Sequence, residues 1–353
     1  MRAAVLEHFP HRLRVVDDWP EPVAGSGQVI VLVRGVGICG SDLALLAGRR
    51  KPPALPWVPG HETYGEIVAT GQDIDPGRVG ERVVIEPNVP CFECPACAAG
   101  RTSACPRRQI LGFNAPGTLA ERVAVPAGMA WPVPRNWTDK DAVCAEPLAV
   151  AQAAIRRSGA SAGMRCLVVG AGSQGMLVCL ALAAVGVVPF VLEPHPGRLE
   201  MAASLGARPA SAQDDGFQLV FETSGLAAAF AEAVRRTAGG GGIVAIGMSS
   251  EPLGLTSQTL VSRQLTVLGS LIYDHPGDFA MTMRADLDGI RPGRVLRACY
   301  PLDDAPSAFA AAREVPGKTW IRVGGDGTSW SLQKRWTAIQ LTIRLVIRVR
   351  SAV

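Results

Sequence analysis

The sequence predicts an α/β protein in which a β-rich first part precedes a doubly wound parallel sheet. Three observations carry this. The first ~150 residues are short alternating runs punctuated by Gly and Pro, the pattern of half-buried strands. From about Ala149, continuous apolar strands alternate with helical segments, which is how a sheet covered on both faces reads. The run Gly170-x-Gly172-x-x-Gly175 sits where one such strand gives way to a helix.

In order along the chain, QVIVLVRGVGICGSD is a strand entering a Gly-rich turn, and EIVATG and GERVVIEPN are further strands. The segments GRRKPPALPWVPGHE and CFECPACAAGRTSACPRR are turn-rich and read as loops. LAVAQAAIRRSGA then predicts a helix, RCLVVGAG a buried strand and SQGMLVCLALAAVG a second helix. The alternation continues through PFVLE, a helix reaching SLGA, FQLVFETSG, LAAAFAEAVRRTA and GGIVAIGM, and LTVLGS is the last strand. From about Arg291 to Val323 the texture is mixed again, so this segment is expected to rejoin the first domain. The expected division is 1–148, 149–288, a return over 289–324, and an atypical basic tail over 325–353.

The 353 residues suffice for two domains with their own cores, and 48% hydrophobic with 19% charged content excludes disorder. The N-terminal MRAAVLEHFPHRL has no apolar signal core, and no apolar run is long enough to span a bilayer. A soluble, cytoplasmic protein is expected. The net charge of +4 is uneven: Lys334, Arg335, Arg344, Arg348 and Arg350 stand between Ser331 and Val353 with no acid, leaving 30 basic against 31 acidic residues elsewhere. A balanced body gives no footprint for nucleic acid. The expected partners are small molecules and further copies of the chain.

Cys91, Cys94, Cys97 and Cys105 are spaced C-x2-C-x2-C-x7-C. Four thiolates this close suit a closed, tetrahedral structural zinc site. A disulfide framework and an iron–sulfur cluster are the rivals. The first suits small secreted domains, and the second uses a shorter spacing before its last cysteine. The odd count of nine cysteines also argues against complete pairing. Cys166, Cys179 and Cys299 read as small core residues.

The glycine run has the context that a dinucleotide site needs. Gly170 permits a tight turn, Gly172 lets backbone approach a pyrophosphate, and Gly175 lets the helix pack on the strand. The pyrophosphate is expected at the helix N-terminus formed by Ser173 and Gln174. Glu193, ending FVLE, would accept hydrogen bonds from the ribose hydroxyls and repel a 2′-phosphate, which favours NAD over NADP; Arg198 lies near enough to soften that preference.

A second donor group is spread along the chain: Cys39 in GICGSD, His61 and Glu62 in PGHETYG, and Glu146 in CAEPLAV, with Cys144 as a weaker alternative. A catalytic zinc takes three protein ligands and keeps one open position. Adjacent residues diverge in a regular strand, so His61 and Glu62 reach one metal only if the backbone bends, which Gly60 permits. Glu62 and Glu146 are therefore alternates that exchange with water.

With GICGSD, GHE, the four-cysteine loop, EPLAV and GAGSQG in this order, the chain resembles the zinc-containing medium-chain dehydrogenases, nearest the sorbitol, threonine, butanediol and glucose dehydrogenase branch. The resemblance covers roughly residues 20–323. It implies a GroES-like catalytic domain split around a Rossmann domain, with the active site in the cleft between them. It also implies two zinc ions per chain: a catalytic one at Cys39, His61 and Glu62, with Glu146 as ligand or water-holder, and a structural one at Cys91, Cys94, Cys97 and Cys105. EPL, in place of a cysteine in that region, points towards polyols and similar secondary alcohols. The expected reaction is reversible oxidation of a secondary alcohol to a ketone with NAD, in a homodimer or homotetramer. Zinc would lower the pKa of the substrate hydroxyl, and the proton would leave through Ser41. A catalytically silent zinc scaffold or redox sensor, and a zinc-independent quinone reductase, are the competing readings.

Two features depart from the pattern. Ala44 stands where relatives often carry a proton-relaying His, and residues from about Gly325 onward have no counterpart. In the tail, Leu341, Ile343, Leu345, Ile347 and Val349 alternate with Thr342, Arg344, Val346, Arg348 and Arg350. That period of two predicts a strand, read either as a non-native extension or as an addition to a sheet edge.

Overall fold

The computed structural model describes residues 1–10, 12–284 and 290–324. Short apolar runs such as CLVV and FVL form the centre of a six-stranded sheet, parallel throughout. Its spatial order is Arg208–Pro209, Phe190–Leu192, Cys166–Val169, Phe217–Glu222, Thr237–Ala245 and Thr266–Gly269. Numbered in chain order within the sheet this is 3-2-1-4-5-6, the Rossmann order, whose direction reverses beside the Cys166–Val169 strand. That strand is buried along its length, as a strand covered on both faces must be.

Helix Ala145–Ser158 begins one residue before the EPL motif and ends at Gly159, whose φ of 70° supplies the left-handed residue that stops a helix. It shares one core with helix Ser173–Ala184, which has apolar residues all round and is buried on nearly every side.

The second sheet is mixed. Strands Gln28–Gly37, Glu62–Thr70, Arg82–Ile85 and Ala130–Pro132 pair antiparallel in this order, and Arg122–Pro126 also pairs with 28–37. Strand Lys318–Arg322 returns from the far end of the chain to the free edge of 28–37, with Trp320 opposite Gly37. Leu296–Pro301 pairs parallel to it. The expected tail strand lies outside the described residues.

Two local expectations are corrected. The sequence reading takes GICGSD as a turn, but Gly40–Leu46 is a helix. Asp42 makes the helix possible: its Oδ2 accepts from the backbone N–H of Cys39 at 3.1 Å, capping the first turn. The cysteine loop is not structureless either. It holds the helical turns Pro95–Ala98 and Thr102–Ala104, the first opened by Pro at a position where no N–H is needed. Among the described residues no helix is long and apolar enough to cross a membrane.

Candidate active site and metal centres

The turn before the Glu62–Thr70 strand decides the first donor group. Gly60 has φ of 94°, and a side chain there would crowd Val36 and Leu119. The bend lets chain neighbours converge: donor atoms of Cys39, His61 and Glu62 all lie within 4.8 Å of one another. Glu146 and Cys144 are not in this set. Glu146 is buried nearby, and burial followed by the Glu62 charge pushes its carboxyl up to about 7, against the opposing pull of His61 and Lys318. Its neighbour Tyr273 is buried too, with a hydroxyl that finds no well-directed partner.

Three partners that the sequence reading missed hold this group. Asp42, buried, accepts from the backbone N–H groups of Cys39 (3.1 Å) and Gly60 (3.2 Å) and stands 3.6 Å from His61 Nδ1. The imidazole lies between Asp42 and Cys39. Burial alone would lower its pKa, but the Asp42 carboxylate outweighs this and holds it well above the usual value. Lys318 is the second partner: its Nζ lies 2.5 Å from Glu62 Oε2 and donates to Oε1 at 2.7 Å, both side chains being 1% exposed. Burial pulls the ammonium down, but Glu62 outweighs it and the lysine stays charged. The third is Phe113, whose ring meets His61 edge-on at 5.1 Å between centroids. The only local signal for these was the Asp three residues after Cys39; Lys318 and Phe113 gave none.

The donor chemistry fits zinc. A thiolate, an imidazole and a carboxylate converge, with donor atoms within 4.8 Å of one another. The Asp42–His61 arrangement is the carboxylate–histidine support common behind metal ligands. Ser41, in the first turn of the 40–46 helix, also buries a hydroxyl that has no partner among the described residues.

The second group is Cys91, Cys94, Cys97 and Cys105, again with donor atoms within 4.8 Å of one another. All nine cysteines are free thiols. Sulfurs of Cys94 and Cys97 are 3.5 Å apart and those of Cys91 and Cys97 4.0 Å, beyond bonding distance. Backbone N–H groups, Glu93's foremost, lower the Cys91 thiol, while burial and neighbouring sulfurs raise Cys97. The loop is tied to the parallel-sheet part: Ser103 N–H donates to Asp274 at 2.8 Å, His275 N–H to Thr102 Oγ1 at 2.6 Å, and Arg157 to both Ser103 Oγ and Asp274.

The glycine run lies at the reversal point of the parallel sheet. Gly170 has φ of 92°. A side chain on Gly175 would reach 2.0 Å from Gly170 O, so only Gly lets the helix pack here. A Cβ on Gly172 would meet nothing within 4 Å, which leaves the helix N-terminus open to a ligand. Glu193 Oε2 accepts from Ala171 N–H at 2.7 Å and Oε1 from His195 N–H at 2.9 Å. The carboxylate is thus fixed beside the glycine turn. Arg198 turns away: its Nη2 donates to Arg313 O at 3.1 Å.

Comparison with known proteins agrees with this architecture. Residues 25–135 match the alcohol dehydrogenase GroES-like domain, and residues 175–286 the zinc-binding dehydrogenase domain. L-galactonate-5-dehydrogenase of Escherichia coli K12 is 31% identical over 296 residues, covering 79% of this chain and 86% of its own. The chain belongs to the zinc-type medium-chain alcohol and polyol dehydrogenases. Sorbitol dehydrogenase of Bacillus subtilis is 29% identical over 77% of this chain and 82% of its own. A crystal structure described as a short chain alcohol dehydrogenase of E. coli CFT073, in complex with NADH, has a TM-score of 0.83 at 27% identity, covering 91% of this chain and 99% of that one. The chain is a zinc-dependent oxidoreductase acting on the CH–OH group of alcohols.

Proposed function

We propose that the chain oxidises a secondary alcohol of a polyol or sugar derivative to the ketone, reversibly, using NAD in preference to NADP. The observation that supports this most strongly is the convergence of Cys39, His61 and Glu62 within 4.8 Å. These three residues hold the catalytic zinc, with Glu146 buried behind them as the alternate carboxylate. Cys91, Cys94, Cys97 and Cys105 hold a second, structural zinc, giving two per chain. The domain division follows the sequence reading, with limits near 148 and 289, and a homo-oligomer in the cytoplasm completes the proposal.

When bound, the zinc supplies Lewis acidity at a hydroxyl, and the nicotinamide supplies the hydride acceptor. The chain's own residues do the rest. Asp42 orients His61 through the buried contact described above. Lys318 offsets the Glu62 charge. Ser41 Oγ, buried and unpartnered, relays the proton that leaves the substrate hydroxyl, giving up its own hydroxyl proton towards solvent as it takes the new one. Gly170, Gly172 and Gly175, with Ser173 and Gln174 at the helix start, shape the pyrophosphate site. Glu193, held by two backbone N–H groups, offers its remaining lone pairs to ribose hydroxyls and opposes a 2′-phosphate. Arg198, engaged with Arg313 O, does not counter it.

Reduced-cofactor absorbance with a panel of sugars, polyols, cyclitols, 2,3-diols and threonine tests the reading, with NAD and NADP in parallel. NAD is expected to exceed NADP by at least roughly tenfold in kcat/KM. His61→Ala is expected to abolish turnover while NAD binding survives. Near-normal turnover in that variant, or equal use of both cofactors, would count against the assignment.

A further inference from the structure

Arg50 follows the 40–46 helix in the chain, flanked by the exposed Arg49 and Lys51 in the turn-rich GRRK segment. It is half-buried. Its guanidinium lies 4.2 Å from the centroid of Phe113, the ring whose edge meets His61. Both spacings share the Phe113 centroid, so the guanidinium lies at most about 9 Å from the imidazole, within the length of a short polyhydroxy chain. Asp42 and Cys39 are its electrostatic neighbours.

The guanidinium is anchored but not neutralised. Nη2 donates to Gly112 O at 3.0 Å and Nη1 weakly to Phe113 O at 3.5 Å. Nε is buried and has no hydrogen-bond partner. Among the described residues no carboxylate forms an ion pair with it, and Asp42 is already committed to His61 and to two backbone N–H groups. A permanent cation with an unpaired buried donor, stacked on a ring beside the metal donors, lacks an anionic acceptor.

We infer that Arg50 binds a carboxylate of the substrate, so that the alcohol oxidised is an aldonate, a polyhydroxy acid, and not a neutral polyol. This rests on the alcohol-oxidising reading of the Cys39–His61–Glu62 site. The carboxylate stays outside the electron balance. The secondary C–H bond breaks and gives hydride to NAD, the O–H bond gives up a proton, a C=O bond forms, and the acid group is unchanged. One guanidinium carries a single positive charge, which a carboxylate monoanion matches and a phosphate dianion exceeds.

The test uses the full-length, zinc-loaded protein and pairs matched in configuration: galactonate with galactitol, gluconate with sorbitol, and galactitol 1-phosphate as the dianionic arm. Wild type is expected to show at least about tenfold higher kcat/KM on the acid of a pair. Arg50→Gln is expected to lower the acid's kcat/KM about 30-fold, mostly through KM, and to change the neutral polyol's less than about threefold. Arg50→Lys, which keeps the charge and loses the fork, should fall between, and it decides the question if Arg50→Gln does not fold. Equal losses on both members of a pair, a wild-type preference for neutral polyols, or a preference for the phosphate would overturn the inference. If no alcohol of any charge is turned over, the proposed function fails. Calorimetric titration of acid against neutral polyol then decides the Arg50 assignment by itself: tighter binding of the acid, lost in Arg50→Gln, supports it, and equal binding ends it.

Discussion

His61 and Glu62 are chain neighbours that serve one donor group, which only the left-handed Gly60 allows. Each has its own buried counter-charge: Asp42 for His61 and Lys318 for Glu62. The Glu62–Lys318 pair is 1% exposed on both sides, so removing one partner strands the other charge away from water. Lys318→Met is expected to destabilise the metal-free protein by about 3–5 kcal/mol. The loss should shrink when zinc is added, because a second cation then faces Glu62. Denaturant unfolding with and without zinc measures both. A variant of wild-type stability in the metal-free state would show that the pair is already balanced by other groups.

At the scale of elements, the cysteine loop acts as a clamp. It is tied to the 266–284 region by Ser103, Thr102, Arg157 and Asp274. Cys97→Ser is therefore expected to lower stability, and zinc content from two to one per chain, more than it lowers kcat. Metal analysis together with thermal unfolding reads both, and a harmless substitution would remove the structural-site assignment. A second element shows a pH dependence. On helix Ala227–Arg236, Glu232 bonds Arg235 and Arg236 at 2.7 and 2.6 Å, and Arg235 first, then Arg236, holds its carboxyl down at about 2. A depressed carboxylate stabilises the fold above its unfolded value near 4.5 and loses that contribution as pH falls to about 2. Glu232→Gln should thus cost under about 1 kcal/mol at neutral pH, since the pair is partly solvated. The cost should fade between those two pH values in acid titrations, and a pH-independent difference would assign the effect to packing.

Across the whole molecule, the parallel sheet carries the glycine turn proposed for the dinucleotide and the mixed sheet carries strand Glu62–Thr70 of the donor group. The strand Lys318–Arg322 ties the end of the described chain to the 28–37 strand and brings Lys318 to Glu62, 256 positions away. Every residue proposed for chemistry precedes Val323. Truncation after Val323 is expected to leave kcat per folded subunit unchanged, with any effect confined to assembly. Steady-state rates and light scattering on the truncated protein test this, and lost turnover in a folded, zinc-loaded truncation would place the tail in the site.

The sequence by itself determined the fold class and the identity of the candidate donors, because these are local properties. Apolar strands alternating with helices give a parallel sheet wherever they occur. Four cysteines within fifteen residues stay close in any compact fold. The glycine run announces its own turn. Only the tertiary structure decided which donors meet. The sequence left Glu62 and Glu146 as alternates; the bend at Gly60 brings Glu62 into the set and leaves Glu146 outside it. It likewise decided that Lys318 faces Glu62, that Asp42 backs His61, and that Arg50 stacks on Phe113 without a counter-ion. Such meetings depend on strand register and on loops folded across one another. Spacing along the chain does not encode them when the partners are tens or hundreds of residues apart.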